Sequence, residues 1–311
     1  MKTLRYFIIS MLVVLLVSCN NKDTTKAKDE KENTETMVKP IKNYLEKKAF
    51  QETIDNEVKE TIALSNDKLM IDAIEVIEAT KEARRSIADS SFADAKSFIE
   101  LAIGKAGALT ALNSKLAFAP VDFTVETHDL VTDISSIKTI SESAEEALEE
   151  GKIQEARELL QGLRSEMIIK EYQLPIVTYP VALKAALILA NEEKYQEANV
   201  LLNATLNTIV VENKIIPLPV LRAERMLEEV ETLVNKDDFN KDDVKLLLEN
   251  ADYEINFAEA LGYGKKDKEY KELYSAIKEV KKQMMDGSNT NEQGLIKKLR
   301  KKLKQFKERI S

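Results

Sequence analysis

The sequence predicts a mostly helical (all-α) protein, a bundle of antiparallel helical hairpins joined by a few extended segments that contain proline. The first observation is composition: the 311 residues include only eight Gly and six Pro, whereas Ala, Glu, Lys and Leu, which favour helices, are abundant. The second is a repeat of small residues at helical spacing, and the third is a set of proline-containing segments between the copies of that repeat. This pattern also allows one or two short strand pairings.

Pairs of alanines twelve residues apart mark three predicted hairpins. Apolar residues follow the second alanine of each pair at the third and fourth positions, so the small and the large side chains share one helix face. The small alanines allow the two helices to approach closely across a polar turn. Because successive copies are offset by 61 and 42 residues, the spacing favours separate hairpins over a regular solenoid. The pairs are Ala83 and Ala95, Ala144 and Ala156, and Ala186 and Ala198, and a degenerate fourth copy is predicted over Ala258–Tyr270.

Three segments between the hairpins lack the helical pattern. They are Phe118–Leu130, Leu174–Pro180 and Ile215–Val220. The first alternates apolar and polar residues, as strands do, and the other two are rich in β-branched residues beside proline. Since proline is excluded from central strands and pushes the preceding residue away from helix, we expect extended connectors that cross the surface of the bundle.

Residues 1–18 predict an export signal. Lys2 and Arg5 precede the apolar run 7–17, which is shorter than the about 20 residues that a membrane span requires. The sequence Leu16-Val17-Ser18-Cys19 resembles the cleavage box of bacterial lipoproteins. That resemblance implies removal of residues 1–18 and acylation of Cys19, the one cysteine of the chain. An ordinary signal peptide followed by a chance cysteine is the alternative.

The next two segments predict a tether and a helix. Residues 19–40 contain almost no apolar side chains and cannot bury enough surface to fold, so we expect a flexible tether. Asn20 follows the cysteine where enteric lipoproteins of the inner membrane carry Asp, which favours the outer membrane, facing the periplasm. Residues 41–65 predict an N-terminal helix that either packs on the body or forms a stalk.

The net charge of −8 is distributed unevenly along the chain. Residues 287–311 predict a basic amphipathic helix, with eight basic residues against two acidic ones and apolar residues at 3-4 spacing. Residues 19–291 then carry a net charge of −16, which repels nucleic-acid phosphates. The basic helix suits anionic lipid or an acidic partner, and docking on the protein's own acidic body or coiled-coil self-association are the alternatives.

Three sequence segments, in this order along the chain, resemble the YfdX protein family. They are Leu174–Pro180 before an Ala-rich helix, Ile216–Pro219 before another helix, and the Leu261–Gly264 turn within Ala258–Tyr270. The resemblance covers about Leu69 to Lys282, which predicts a YfdX-like helical domain at residues 66–286. It implies a largely helical, exported bacterial protein linked to envelope stress, and it implies no established enzymatic activity.

Residues for catalysis are not apparent in the sequence. It has no nucleophile elbow, no Walker loop and no dinucleotide fingerprint, and one His with one Cys cannot build a zinc cluster, so we expect no metal and no cofactor. The candidate ligand-binding residues are Tyr172, Tyr179, Tyr195 and His128. The tyrosines either line a groove beside the extended segments or pack in the core. His128, which lies between Glu126 and Asp129, is either a pH sensor or an exposed loop residue.

These observations favour a non-enzymatic, lipid-anchored protein of the cell envelope that serves as an interaction or stress-protective module. The alternative is a periplasmic protein that binds a small ligand or senses pH through the Tyr172–Pro180 region. Expected partners are the membrane, through the lipid, and an unknown envelope protein or small ligand. Nucleic acid is not expected, and homo-oligomerisation is left open.

Overall fold

The computed structural model describes residues 47–63, 67–113, 115–236, 238–264, 268–286 and 292–311. Eleven helices and three strands lie within these ranges, so the mostly helical fold class is confirmed. No helix in these ranges is both long enough and apolar enough to cross a membrane. The predicted signal peptide, the Cys19 lipidation site and the tether lie outside the described residues.

The helices and strands alternate in blocks along the chain. The first block contains α1 (Lys47–Ala63), α2 (Asp67–Ala88), α3 (Phe92–Leu112) and β1 (Phe118–His128). The second contains α4 (Ile134–Glu149), α5 (Ile153–Gln161), β2 (Glu166–Pro175), α6 (Tyr179–Asn191), α7 (Tyr195–Leu206) and β3 (Val210–Pro217). The last contains α8 (Leu218–Val234), α9 (Lys241–Ala260), α10 (Lys268–Asp286) and α11 (Glu292–Ile310).

The three alanine-spaced hairpins are confirmed as α2–α3, α4–α5 and α6–α7, and all six alanines are buried. Their turns share one backbone conformation. Ser90, Gly151 and Glu193 each lie seven residues after the first alanine and have φ of 59°, 76° and 61°. In every turn the next backbone N–H donates to the carbonyl five residues earlier, at 2.7 to 2.9 Å. This is the Schellman pattern, which ends a helix at a residue with positive φ.

Two of the hairpins pack on each other as a four-helix unit of α2, α3, α6 and α7. Helix α2 contacts α7, and α3 contacts α6, as an approximate two-fold arrangement requires. The unit shares a first hydrophobic core, in which Leu109, Leu183 and Leu202 are buried. At its end, the rings of Phe92 and Tyr195 stack with centroids 3.8 Å apart.

The extended segments form a three-stranded antiparallel sheet in the order β1-β2-β3, which is longer than the short pairings expected from the sequence. Phe118 pairs with Pro175 at one end of the sheet, and Glu166 pairs with Pro217 at the other. The expected connector Leu174–Pro180 is wrong in its bounds, since β2 begins at Glu166 and Tyr179 already begins α6. Proline in the first turn of a helix loses no hydrogen bond, because the first N–H groups have no partner within the helix.

The prediction for Ile215–Val220 is also wrong in its bounds. Strand β3 ends at Pro217, and Leu218–Val220 already form the first turn of α8, with Pro219 in that turn. The expected strand at Phe118–Leu130 is confirmed as β1, and its Pro120 lies beside an irregularity of the β1–β2 register.

The C-terminal helices α8 to α11 share a second hydrophobic core. The predicted basic helix is α11, and its docking on the acidic body is confirmed. Its apolar residues Ile296, Leu299, Leu303 and Phe306 are buried in this core. Arg300 forms ion pairs with Glu228, at 2.7 Å, and with Glu231 of α8.

Helix α1 packs on the body and is not a stalk. Its Ile54 is buried against Met167 and Ile169 of the sheet and Leu221 of α8. Lys307 of α11 joins α1 to α8, since its Nζ lies 2.8 Å from Glu57 and 2.6 Å from Glu224. Burial lowers the pKa of Lys307, but the attraction of Glu224 and Glu57 outweighs that effect and the net pKa is raised.

The shared turn conformation predicts opposite effects of glycine and alanine. Ser90→Gly and Glu193→Gly should each raise the free energy of unfolding by about 1 kcal/mol, because glycine adopts a positive φ without the steric cost of a Cβ. Gly151→Ala, at the equivalent position, should lower it by about the same amount. Urea denaturation of the three variants measures these differences. A loss of stability in both glycine variants would contradict the shared conformation.

The buried cation predicts a large effect at one lysine of α11 and a small effect at another. Lys307→Met leaves two carboxylates, each with a side chain only 13% exposed, without their cation. We expect the free energy of unfolding to fall by about 3 kcal/mol, as for other broken buried ion pairs. Lys304→Met, on the exposed side of the same helix, is the control and should change it by less than about 0.5 kcal/mol. Equal effects in urea denaturation would show that Lys307 does not bridge the helices.

Candidate functional site

A half-buried polar cluster lies where β1 ends and β2 begins. Its side chains come from five parts of the chain: the end of β1, the start of β2, α8, α9 and the turn after α9. We call it the sheet-end cluster, and it consists of His128, Asp129, Ser165, Glu166, Arg222, Glu254 and Tyr263.

Arg222 of α8 is at the centre of the sheet-end cluster. Its Nη2 donates to Oδ1 of Asp129 at 2.6 Å, and its Nη1 lies 3.7 Å from Oε2 of Glu254. The side chains of Arg222 and Glu254 are only 17% and 16% exposed. The guanidinium also lies 4.8 Å from the ring centroid of Phe50 in α1. One cation therefore serves two carboxylates and one aromatic ring.

Glu254 is the carboxyl group that this arrangement perturbs most clearly. Burial raises the pKa of Glu254 to about 7, because the carboxylate loses its water. The charge of Arg222 lowers that pKa, and the charge of Asp129 raises it again. Since Arg222 is shared with Asp129, its attraction does not offset the loss of water, and Glu254 takes up a proton as the pH falls through neutrality.

Tyr263 closes the other side of the sheet-end cluster. Its hydroxyl accepts a hydrogen bond from the backbone N–H of Ser165 at 3.0 Å and donates one to Oε2 of Glu166 at 2.8 Å. The hydroxyl of Ser165 donates to Asp129 at 3.2 Å. Burial raises the pKa of Tyr263 well above its ordinary value. The phenol therefore keeps its proton and remains a hydrogen-bond donor.

His128 lies at the edge of this cluster, since its register partner on β2 is Glu166. Its Nε2 is buried and has no hydrogen-bond partner among the described residues. The carboxylates that flank it in the sequence bind other cations, Glu126 pairing with Lys170 and Asp129 with Arg222. The described ranges contain no group of three or more His, Cys, Asp or Glu side chains placed to hold a metal ion. A pH-sensing role of His128 itself stays a prediction.

The three tyrosines predicted as ligand-binding residues do not surround one opening. Tyr179 is 1% exposed, and its hydroxyl lies 3.3 Å from Oγ1 of Thr80 in the first hydrophobic core. Burial raises its pKa to about 12. Tyr172 and Tyr195 are half-buried at the margin of the same core. Core packing, the alternative weighed from the sequence, is therefore what the structure shows for Tyr179.

A shallow depression of about 290 Å³ does open beside Tyr195 and Phe92, but neither Tyr172 nor Tyr179 lines it. Ligand binding by Tyr172 or Tyr195 stays a prediction. The depression is lined by the α6–α7 turn and the first residues of α7, together with Phe92, the first residue of α3.

Arg222, Glu254 and Tyr263 were not anticipated from the sequence. Arg222 and Asp129 are 93 residues apart, and no local pattern connects them. Glu254 did carry a signal, because it follows Ala251 by three residues and precedes Ala258 by four, within the apolar stripe of α9. A carboxylate in an apolar stripe needs a buried partner.

Part of the chain is similar to known proteins. A model of the YfdX protein family matches residues 76–215, from within α2 to within β3. A solved structure of YfdX from Salmonella Typhi is 17% identical, and the similarity covers 47% of this chain and 91% of that chain with a TM-score of 0.33. No curated protein matches the sequence.

The matched segment contains only part of the sheet-end cluster. His128, Asp129, Ser165 and Glu166 lie within it, whereas Arg222, Glu254 and Tyr263 lie beyond it. The Ile216–Pro219 and Leu261–Gly264 motifs also lie beyond residue 215, so the wider extent expected from them stays a prediction. Over residues 76–215, this chain is therefore similar to the YfdX protein family.

Proposed function

We propose that this chain is a non-enzymatic, lipid-anchored module of the cell envelope whose fold becomes more stable as its surroundings acidify. The observation that carries the proposal is the sharing of one guanidinium, that of Arg222, between two carboxylates at the sheet-end cluster. This cluster joins the YfdX segment to helices α8 and α9, so its protonation acts on the contact between the two parts of the fold. Acid stability of this kind suits a protective or interaction role outside the cytoplasm.

The groups that face Glu254 set the direction of the pH effect. Arg222 attracts its charge from α8, and Asp129 repels it from the end of β1. Burial raises the pKa of Tyr253, its neighbour on α9, and the charges of Glu254 and of Asp133, just before α4, also raise it. Protonation of Glu254 removes the repulsion between the two carboxylates and leaves Arg222 to Asp129.

The sign of the stability change follows from the two pKa values of Glu254. The pKa is about 7 in the folded chain and 4.5 for an ordinary glutamate, so the folded chain binds the proton first as the pH falls. Stability therefore rises as the pH falls from about 7 towards 4.5, and it is lost again as the pH rises through 7. A group with this shift opposes the usual acid denaturation of carboxylate-rich proteins.

The geometry supports a structural role for the sheet-end cluster over a catalytic one. Its carboxylates face a guanidinium and a phenol that occupy them, while general acid–base catalysis requires a group within reach of a bound substrate. The anchoring part of the proposal rests on the Leu16–Cys19 box. A chain held by acyl groups on Cys19 would place its folded part close to a bilayer, at the outer membrane facing the periplasm.

Glu254→Gln tests the acid response. Glutamine resembles the protonated carboxyl in shape and carries no charge at any pH. We expect the variant to be more stable than the wild type at pH 8, by on the order of 1–2 kcal/mol, and nearly equal to it at pH 5. Urea denaturation in steps between these pH values measures the difference.

The control for this experiment is Glu249→Gln. Glu249 lies on the same helix with a side chain 37% exposed, and it is outside the sheet-end cluster. Its substitution should leave the pH dependence of stability as it is in the wild type. Parallel pH profiles for the wild type and Glu254→Gln would contradict the role of Glu254.

Metabolic labelling with a fatty-acid analogue tests the anchor. The wild-type chain should incorporate the label and Cys19→Ala should not, because Cys19 is the one cysteine available for thioether lipidation. Asn20→Ala, which changes the next residue and keeps the cysteine, is the matched control and should be labelled like the wild type. Label on Cys19→Ala equal to that on the wild type would remove the anchoring part of the proposal.

A further inference from the structure

The three hairpins have the same local structure but different surroundings. The residue nine positions after the first alanine begins the second helix of each hairpin, and it is Phe92, Ile153 or Tyr195. Phe92 and Tyr195 stack on each other where α2–α3 meets α6–α7. Ile153, in α4–α5, is 59% exposed. In the paired hairpins the residues at this position pack on each other, whereas in the third hairpin the residue at this position is exposed.

Two further positions show the same contrast. One lies four residues after the first alanine of the pair, and the other lies four residues after the second. Both carry an apolar side chain in all three hairpins. After the first alanine they are Ile87 and Ala190, 2% and 0% exposed, and Leu148, 51% exposed. After the second they are Ile99 and Leu202, both 0% exposed, and Leu160, 48% exposed.

The α4–α5 hairpin is held to the body near the start of α4, away from its turn. Ile134 and Ile137, near the start of α4, are buried with Phe257 of α9. We call the exposed surface on the rest of the hairpin the hairpin face, and it consists of Leu148, Ile153 and Leu160 with Glu145 and Arg157. Clustered exposed apolar side chains of this kind mark interaction sites on soluble proteins.

The polar residues of the hairpin face indicate which partner fits. In the paired hairpins, Nε of Arg84 donates to Oδ1 of Asn199 at 3.1 Å, and these residues directly follow Ala83 and Ala198. The equivalent residues of the third hairpin are Glu145, after Ala144, and Arg157, after Ala156. Both are exposed, and neither has an ion-pair or hydrogen-bond partner in the part of the chain that the structure describes. Their charges are opposite.

We propose that the hairpin face binds the hairpin face of a second copy of this chain, in the arrangement that α2–α3 adopts with α6–α7. In that arrangement α4 lies against α5 of the partner subunit, as α2 lies against α7 and α3 against α6. A two-fold axis then passes near Ile153, and Glu145 of each copy faces Arg157 of the partner subunit. Such an isologous interface uses one surface twice, so each opposite-charge pair also occurs twice. The proposal does not depend on lipid anchoring or on Glu254.

Charge exchange tests the partner and the arrangement together. In a dimer of Glu145→Arg, like positive charges meet at both contacts, and in a dimer of Arg157→Glu like negative charges meet. Each variant alone should therefore dimerise at least tenfold more weakly than the wild type. When the two variants are mixed, opposite charges meet at both contacts, and a dimer of one chain of each should form with nearly wild-type affinity. The double variant Glu145→Arg/Arg157→Glu should also dimerise with itself.

The measurement is sedimentation equilibrium of the full chain in mild detergent, with differently tagged variants to identify the mixed dimer. Glu146→Arg is the matched control and should change the dimer Kd by less than twofold. The equivalent positions in the paired hairpins are Arg85 and Ile188, both exposed, so Glu146 lies outside the contact that those hairpins make with each other. Ile153→Asp should abolish dimerisation, and an unchanged far-UV circular dichroism spectrum in each variant shows that the fold is intact.

Three results would overturn the proposal. The first is a wild-type chain that stays monomeric at all concentrations reached. The second is a dimer whose Kd neither charge variant changes, which would place the contact on another surface. The third is a mixture of Glu145→Arg and Arg157→Glu that associates no more tightly than either variant alone, which would exclude the arrangement copied from the paired hairpins.

Discussion

The guanidinium of Arg222, which two carboxylates share, is the central interaction where the end of β1 meets helices α8 and α9. It lies between Asp129 at the end of β1 and Glu254 of α9, and Phe50 of α1 packs on its face. Removing the guanidinium would leave the largely buried carboxylate of Glu254 without its cation and facing Asp129, whose side chain is 42% exposed. Beside it, α1, the sheet and α8 share a small apolar core that includes Ile54, Met167 and Leu221. The electrostatic balance of this cluster therefore acts together with that apolar packing on the contact between residues 76–215 and the C-terminal helices.

One local sequence motif forms three helical hairpins outside this cluster. A pair of alanines twelve residues apart, with a turn residue at positive φ between them, produces a closely packed hairpin three times. Two copies use their apolar faces on each other and so create the first hydrophobic core. The third copy is attached through the start of α4 and leaves its remaining apolar residues exposed for contact outside the chain. The same sequence rule therefore provides both the interior of the protein and the surface that we assign to self-association.

The hairpins could be predicted from the sequence because the residues that determine them lie close together along the chain. Alanine spacing and the apolar positions after it determine the helix faces within about 25 residues. Positive φ at Ser90 and Glu193 could not be foreseen, because only Gly151 among the three turns carries the residue that this conformation favours. Strand β2 was located only in part, since Glu166–Gln173 has no clean alternation and obtains its structure from pairing on both sides with β1 and β3.

Local sequence information predicts even less of the sheet-end cluster. His128 and its acidic neighbours could be selected from the sequence, but Arg222 and Glu254 approach Asp129 only because the fold brings distant helices to the end of β1. Periodicity indicates that Glu254 faces inward, but it does not indicate which cationic side chain contacts it. Similarly, Tyr172, Tyr179 and Tyr195 lie close in the sequence, yet Tyr179 is a core residue while the other two lie at the margin of that core. Proximity along the chain does not create a common opening.

The most direct test of the central claim is the titration of Glu254 itself by NMR. The chain is labelled with 13C at the glutamate carboxyl carbons, and the Glu254 resonance is identified by its absence from the Glu254→Gln spectrum. We expect this carboxyl to titrate with a midpoint near pH 7, as the raised pKa of about 7 requires. A midpoint near 4.5, the ordinary glutamate value, would contradict the account, because it would mean that Arg222 and the solvent together compensate both carboxylates.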